Sequence, residues 1–442
     1  MEIKLSDHFT YKKLLRFVLP SVAMMIFTSI YGVVDGLFVS NFVGKSSFAA
    51  INLVIPFTMI FGGIGFMFGT GGSALVAKTL GEGEHEKANR YFSMMVWISL
   101  ILGIATSAVG IAYMRQIAHF LGADAEMLED CVVYGRLIIG FNTAFMLQNL
   151  FQSFLVTAEK PRLGLLATLA AGFTNMLLDA LFVAVFDLGV AGAAIATGIS
   201  QCVGGLLPLL YFLFPNNSLL RLKRTKLELR PILAASFNGV SELVTNITAS
   251  VVGILYNFQL LRYAWQDGVA AYGVLMYVDF IFVAVFIGYS IGSAPIVSYH
   301  YGAGNRAELK NMLRKSVTLM VGAGICMVAL AELLAVPLAR LFVGYDQMLL
   351  DMTVHGFRIF SLSMLFAGFN IFSSSFFTAL NNGGVSAALS FLRTFLFKLS
   401  AVLILPFFFD LDGIWLSAVA AELLAFAVSL FFILFKRKKY GY

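Results

Sequence analysis

The chain has 442 residues, of which 60% are hydrophobic and 12% charged, with a net charge of +6 and a mean hydropathy of +0.88. Soluble proteins carry roughly 45–50% apolar and about 25% charged residues, so the composition excludes a soluble globular chain and points to one that crosses a membrane many times. Apolar runs follow one another with only short charged links, which excludes an outer-membrane barrel, whose strands alternate polar and apolar residues over about ten positions.

Runs of about 20 apolar residues, the length that crosses hydrocarbon, predict twelve helical spans. They fall at 14–40, 48–75, 90–112, 132–157, 162–186, 190–214, 232–260, 270–298, 312–337, 353–378, 385–409 and 413–435. The first run carries Pro20 near its start and Asp35 near its end. No small-residue cleavage site follows it, so it reads as a retained helix and not as a signal peptide. Cys131, Cys202 and Cys326 show no C-x-x-C spacing, so neither a disulfide framework nor a zinc site is indicated. His8, His85, His119, His300 and His355 fall in or near links and read as solvated surface residues.

Basic residues gather before the first span (Lys4, Lys12, Lys13) and in the second, fourth, sixth and eighth links, and again at the C-terminus (Lys436 to Lys439). By the positive-inside rule those segments are cytoplasmic. The alternate links hold few cations, chiefly Lys45, Arg115, Arg262 and Arg340, alongside acids such as Asp124, Glu126, Glu129 and Asp187, and face outward. The net positive charge follows from this topology, and the basic stretch at 216–231 reads as a cytoplasmic linker between lobes, not as a nucleic-acid patch.

The chain also repeats. Shifting the second half back by 221 positions sets Gly302 on Gly81, Gly356 on Gly135, Asn370 on Asn149, Thr378-Ala379 on Thr157-Ala158 and Gly413 on Gly192. An even number of spans per repeat gives both halves one orientation, hence parallel repeats about an axis along the membrane normal. The expected fold is an all-α polytopic membrane protein with an N-lobe over 1–215 and a C-lobe over 232–442, six helices each, with a cavity between them.

Four polar side chains of the N-lobe fall at one depth. At 1.5 Å per residue, Asp35 lies about 8 Å below the outer surface and Asp179 and Thr197 about 10 Å below it. Asn175 sits one turn deeper on the face of Asp179. Two carboxylates, an amide oxygen and a hydroxyl suit a hard monovalent cation, or a pair of acids sharing a proton. The repeat mates of Asp35 and Asp179 are Tyr256 and Ser400, so the pocket is not duplicated. The C-lobe instead holds Glu242, Asp279, Arg393 and Lys398, for which mutual ion pairing is the simplest account, whether structural or with a substrate-contacting or gating role. Glu332 and Arg358 form a further candidate pair, and Glu422 is an intramembrane acid without an obvious partner.

Over essentially its whole length the chain resembles the multidrug and toxic-compound extrusion (MATE) family, in its prokaryotic DinF-like branch. The resemblance rests on Pro20…Tyr31-Gly-Val-Val-Asp35, Gly72-Ser-Ala…Gly81-Glu-Gly83, Asn149…Gln152…Thr157-Ala158, Asn175-Met-Leu-Leu-Asp179 and Gly189-Val-Ala-Gly192-Ala-Ala-Ile-Ala-Thr197. It implies a MATE/MOP-type twelve-helix antiporter, probing no cofactor chemistry, that expels amphipathic, mostly cationic compounds against inward Na⁺ or H⁺. Carried over, Asp35, Asn175, Asp179 and Thr197 are the Na⁺ or H⁺ coupling site and Pro20 is the hinge of the first helix. Another branch places a coupling glutamate in the seventh helix, and Glu242 lies earlier in that helix than this pattern requires.

The sequence therefore leads to a secondary active antiporter of the cytoplasmic membrane, with both termini cytoplasmic, acting as a monomer on small organic substrates in the bilayer. The principal rival is a lipid-linked precursor flippase of the same two-lobed fold, which calls for a strongly cationic central cavity. A membrane-embedded enzyme is disfavoured because the histidines are scattered. A scaffold protein leaves the convergent polar groups unexplained.

Overall fold

Helices account for nearly every element because the membrane leaves the backbone no other partner for its N–H and C=O groups. The structure, a computed structural model, describes residues 3–43, 45–125 and 127–442, the side chains of 45 and 46 excepted. Glu126 and the side chain of Lys45, both read above as outer-link charges, lie outside the described residues.

Spans one, two and three are Tyr11–Phe42, Lys45–Gly81 and His85–Phe120. Span four is a pair, Leu128–Gly140 and Asn142–Thr157, bent by 51°. Span five, Pro161–Asp179, runs into a π-helical turn at Ala180–Val185, and span six is Gly189–Leu213. A helical stretch of 74 residues, Leu229–Gly302, follows. At 1.5 Å per residue that is about 110 Å, more than three hydrocarbon cores of about 30 Å. Trp265, at φ 51°, breaks it into span seven (229–264) and span eight (266–302). Span nine is Arg306–Val343, and span ten is the pair Gln347–Ser361 and Met364–Ala379, bent by 47°. Span eleven, Gly383–Ile404, contains a second π turn at Leu392–Phe397, and span twelve lies in Pro406–Tyr440, which Asp410, at φ 47°, breaks near its start. Among the described residues nine helices are long and apolar enough to cross a membrane, and the two bent pairs make eleven. Counting the broken helix twice gives the twelve predicted.

The helices run past the predicted apolar stretches, span three from His85 to Phe120 instead of 90–112. Hydropathy registers only the part in hydrocarbon, whereas backbone hydrogen bonding carries the helix on into polar surroundings.

The 221-residue repeat reappears as reciprocal contacts between the two lobes. A Cβ on Gly81 would stand 2.0 Å from the carbonyl of Tyr299, and one on Gly302 would stand 2.0 Å from that of Lys78. Residues 78 and 81 are the repeat mates of 299 and 302, so spans two and eight cross on the pseudo-twofold axis. Gly71 and Gly239 bring spans two and seven together in the same way, and their mates Gly292 and Val18 join spans eight and one. Glycine is required there because the facing atoms are largely backbone. In the other half of the molecule Gly32, Gly36, Gly253 and Gly273 have nothing within 4 Å of a Cβ position. The lobes thus meet at the end bearing both chain termini and stand apart at the opposite end.

The N-terminal segment crosses the closed end. Leu5 and Phe9 are fully buried. The Leu5 N–H donates to Glu159 Oε1 (2.6 Å), in the link between spans four and five. The Phe9 N–H donates to Glu308 Oε1 (3.0 Å), His8 Nδ1 lies 2.7 Å from Glu308 Oε2, and Lys315 Nζ donates to the Phe9 carbonyl (2.6 Å). Residues 5–9 thereby tie a link of the first half to span nine. The basic stretch after span six is likewise docked, with the Arg221 and Lys223 N–H groups on Asn89 and Ser93 of span three.

One histidine departs from the surface reading. His300, in the last turn of span eight, is 2% exposed, and its Nε2 has no partner. Sequence position near a link does not reveal that the closed end of the lobes covers it. His8 and His355 are mostly exposed and pair with Glu308 and Asp412.

Candidate functional site

Asp35 is brought to span five by packing that begins a turn and more below it. A Cβ on Gly172 would strike the rings of Phe27 (2.4 Å) and Tyr31 (2.8 Å), so the missing side chain lets span one lie flush on span five. Phe27 also packs on Phe173, with ring centroids 5.4 Å apart. One turn beyond Tyr31, Asp35 therefore faces Asn175 and Asp179, which lie one and two turns beyond Gly172. Span six supplies Thr197 next to Gly198, whose lack of a Cβ admits the Phe141 ring at 2.0 Å.

The four residues meet. Asp35 lies close enough to Asp179, Asn175 and Thr197 for their side chains to act on its charge. The Asn175 amide donates to Thr197 Oγ1 (3.5 Å). Asp179 is 0% and Asn175 1% exposed. Asp35 Oδ1, Asn175 Oδ1 and both Asp179 oxygens are buried without any hydrogen-bond donor. Buried acceptors without donors are costly, and two carboxylates out of water either close on a cation or share a proton. The donor set, all oxygen, is that of a hard cation. No group of three or more His, Cys, Asp or Glu able to hold a metal occurs among the described residues.

Two features of this site were not read from sequence. Asp179 is followed directly by the π turn Ala180–Val185, a widened turn frequent at functional positions. Tyr134, in the outer part of span four and 7% exposed, lies within the field of both carboxylates. Its position early in span four matches their depth, which is the signal that would have found it.

At the corresponding place in the C-lobe, Tyr256 donates or accepts a 2.6 Å hydrogen bond with Ser417 and stacks on Tyr272 at 5.0 Å. The Tyr256 and Ser417 hydroxyls satisfy each other there, with Asp279 as the carboxylate whose field reaches both tyrosines. The C-lobe charges do not pair as expected. Arg393 Nε reaches Oε1 and Oε2 of Glu422, both at 2.9 Å, Lys398 Nζ lies 3.9 Å from Oε1, and the Asn370 amide donates to Oε2 (2.8 Å). Glu422 is thus the centre of the network, while Glu242 and Asp279, on spans seven and eight, feel Arg393 and Lys398 only through space. Glu242 and Asp279 have no ion pair within 4.0 Å among the described residues. Glu242 lines a cavity shared by both lobes, with Thr70, Ser73 and Ser153 on one side and Ser290 and Thr378 on the other. The pair Arg358–Glu332 forms, at 3.4 Å, on half-exposed side chains. Pro20 lies in an unbroken helix, Tyr11–Phe42.

A family model described as MatE matches the chain once in each half, at residues 20–181 and 243–403. The multidrug export protein MepA of Staphylococcus aureus (strain N315) is 24% identical over 425 residues, covering 95% of this chain and 93% of that protein. The protein of the same name from Staphylococcus saprophyticus is 27% identical over 321 residues, 72% and 70% of the two chains. A solved structure described as the outward-facing conformation of a multidrug resistance MATE family transporter of the MOP superfamily matches with a TM-score of 0.92 at 20% identity, covering 98% of this chain and 97% of that one.

Proposed function

The chain belongs to the MatE family, whose members are transporters and not enzymes, and we propose that it exports amphipathic, mostly cationic organic compounds from the cell in exchange for inward Na⁺ or H⁺. The observation that carries this reading is the set of buried oxygens on Asp35, Asn175 and Asp179 that lack any donor. A Na⁺ ion, or a proton shared between the two carboxylates, satisfies them. The coupling residues are Asp35, Asn175, Asp179 and Thr197, and the N-lobe alone couples, since the repeat mates of the two aspartates, Tyr256 and Ser400, carry no carboxylate.

The organic cation meets the acids left without ion pairs, Glu242 and Asp279, in the space between the lobes. The hydroxyls around Glu242 and the apolar walls of that cavity fit an amphipathic molecule. Arg393 and Lys398 act on Glu422 and shape the C-lobe wall. Glu422, Glu242 and Asp279 together offset these two cations, which counts against a pyrophosphate-carrying flippase.

Transport proceeds by rocking of the N-lobe (1–215) against the C-lobe (232–442) about the linker 216–231, in a monomer of the cytoplasmic membrane with both termini inside. The splayed end then faces outward. Each ligand drives the cycle only by its differential affinity for the two states. Cation entry draws span one onto span five at Asp35, with Pro20 as the flexible point, and so disfavours the drug-loaded outward state. The test is efflux of a fluorescent lipophilic cation from vesicles in which Na⁺ and pH gradients are imposed one at a time. At least one gradient drives efflux; dye movement indifferent to both refutes the antiport reading.

A further inference from the structure

A second built site lies away from the coupling residues, at the closed end. A cavity opens there between the start of span one and the link 158–160, with Arg16, Lys160 and Arg162 as its cations and Phe17, Pro20 and Leu163 among its apolar walls. Arg16 and Arg162 make no ion pair and no hydrogen bond among the described residues. Two guanidiniums with no partner of their own, lining one cavity, are a fork for an oxyanion, because each presents several fixed donors. The single acid in the lining, Glu159, already accepts the Leu5 N–H at 2.6 Å. Burial raises its pKa above the ordinary range, with the Leu5 N–H acting against that, so it opposes an anion less than an exposed carboxylate would.

The cavity does not end at its cations. A groove between spans five and six shares Lys160, Arg162 and Leu163 with it and runs on past Leu166, Leu207, Leu210 and Phe214. Those four side chains are 61%, 47%, 47% and 67% exposed, on a surface that faces hydrocarbon. A cationic pocket at the membrane surface that continues into an apolar, lipid-facing groove has the outline of a phospholipid, and anionic headgroups are drawn to such basic pockets between helices. We propose that this place binds one anionic phospholipid, its phosphate held by Arg16 and Arg162 and an acyl chain lying in the groove of Leu166, Leu207 and Leu210.

The site bears on transport because it touches span one at Phe17 and Pro20. The neighbouring face of that stretch is packed on the other lobe, with Val18 against Gly292 and Val22 against Gly288. A lipid seated there supports the helix where it would have to bend.

The test is native mass spectrometry of the full-length protein released from detergent, with phosphatidylglycerol or phosphatidylcholine added at equal concentration. Expected is one retained phosphatidylglycerol per chain and at least about tenfold less phosphatidylcholine, with the preference lost in Arg16→Gln/Arg162→Gln. The control Lys436→Gln/Lys438→Gln, which removes two cations at the C-terminus, retains the lipid. Equal retention of both lipids, unchanged retention in the arginine variant, or equal loss in the control overturns the proposal. Competition by inorganic phosphate at the concentration at which it would occupy a free-anion site overturns it too, in favour of a soluble anion. Should the double variant not fold, Leu163→Trp, which fills the shared wall, carries the same expectation of lost retention.

Discussion

Replacing Gly302 by alanine tests whether the crossing of spans two and eight holds the lobes together. The added Cβ would stand 2.0 Å from the Lys78 carbonyl oxygen, and ordinary contacts begin at 3.4 Å. The facing atom is helical backbone and cannot rotate aside, so the two helices must part by about 1 Å or more. Overpacking of that kind costs about 1–3 kcal/mol, which shifts an equilibrium between closed and parted lobes roughly 5- to 150-fold. Spin labels at Glu84 and Lys310, exposed on the two sides of the closed end, report the separation by double electron–electron resonance once Cys131, Cys202 and Cys326 are replaced by serine. The parent gives one short distance, and Gly302→Ala adds a longer population. Gly36→Ala, at a position with nothing within 4 Å, leaves the distribution unchanged. A folded Gly302→Ala protein with the parent's distribution refutes the reasoning.

Three further outcomes follow from the same contacts. Arg393→Ala leaves Glu422, 3% exposed, with Lys398 at 3.9 Å as its counter-charge and the Asn370 amide as its donor, and lowers stability by about 3–5 kcal/mol in denaturant melts, whereas Arg393→Met with Glu422→Leu recovers most of it. Glu308→Ala removes the acceptor for His8 and the Phe9 N–H, so hydrogen exchange rises over residues 5–9 while span five keeps its protection. Gly32→Leu, at a place open in this structure, leaves the closed-end distances as they are but reduces efflux, because Gly32 and its repeat mate Gly253 lie where the splayed end must close.

Much of the fold was legible because the membrane imposes a length on each apolar run, and because Gly81 and Gly302 betray the repeat as identical residues at one offset. Trp265 shows where legibility stops: the link between spans seven and eight is a single residue at φ 51°, and hydropathy registers only a gap between two runs there. The convergence of Asp35, Asn175, Asp179 and Thr197 was readable from depth alone, since residue counting along antiparallel helices is a distance measurement. Depth says nothing about azimuth, and this is why Glu422 showed no obvious partner in the sequence. Glu242, Asp279 and Lys398 share a level, yet Glu422 on the adjoining helix takes both Arg393 and Lys398. The π turns at Ala180–Val185 and Leu392–Phe397 have no residue signature and arise from packing.

The measurement that bears most directly on the proposed coupling is gradient-driven efflux by Asp35→Asn in reconstituted vesicles, beside the parent protein and Asp179→Asn. Asparagine keeps the shape of the carboxylate but cannot carry the charge that a Na⁺ ion or proton answers. Loss of gradient-driven efflux in both variants, with dye binding retained, is the result expected. Efflux at the parent's rate in Asp35→Asn would contradict the account.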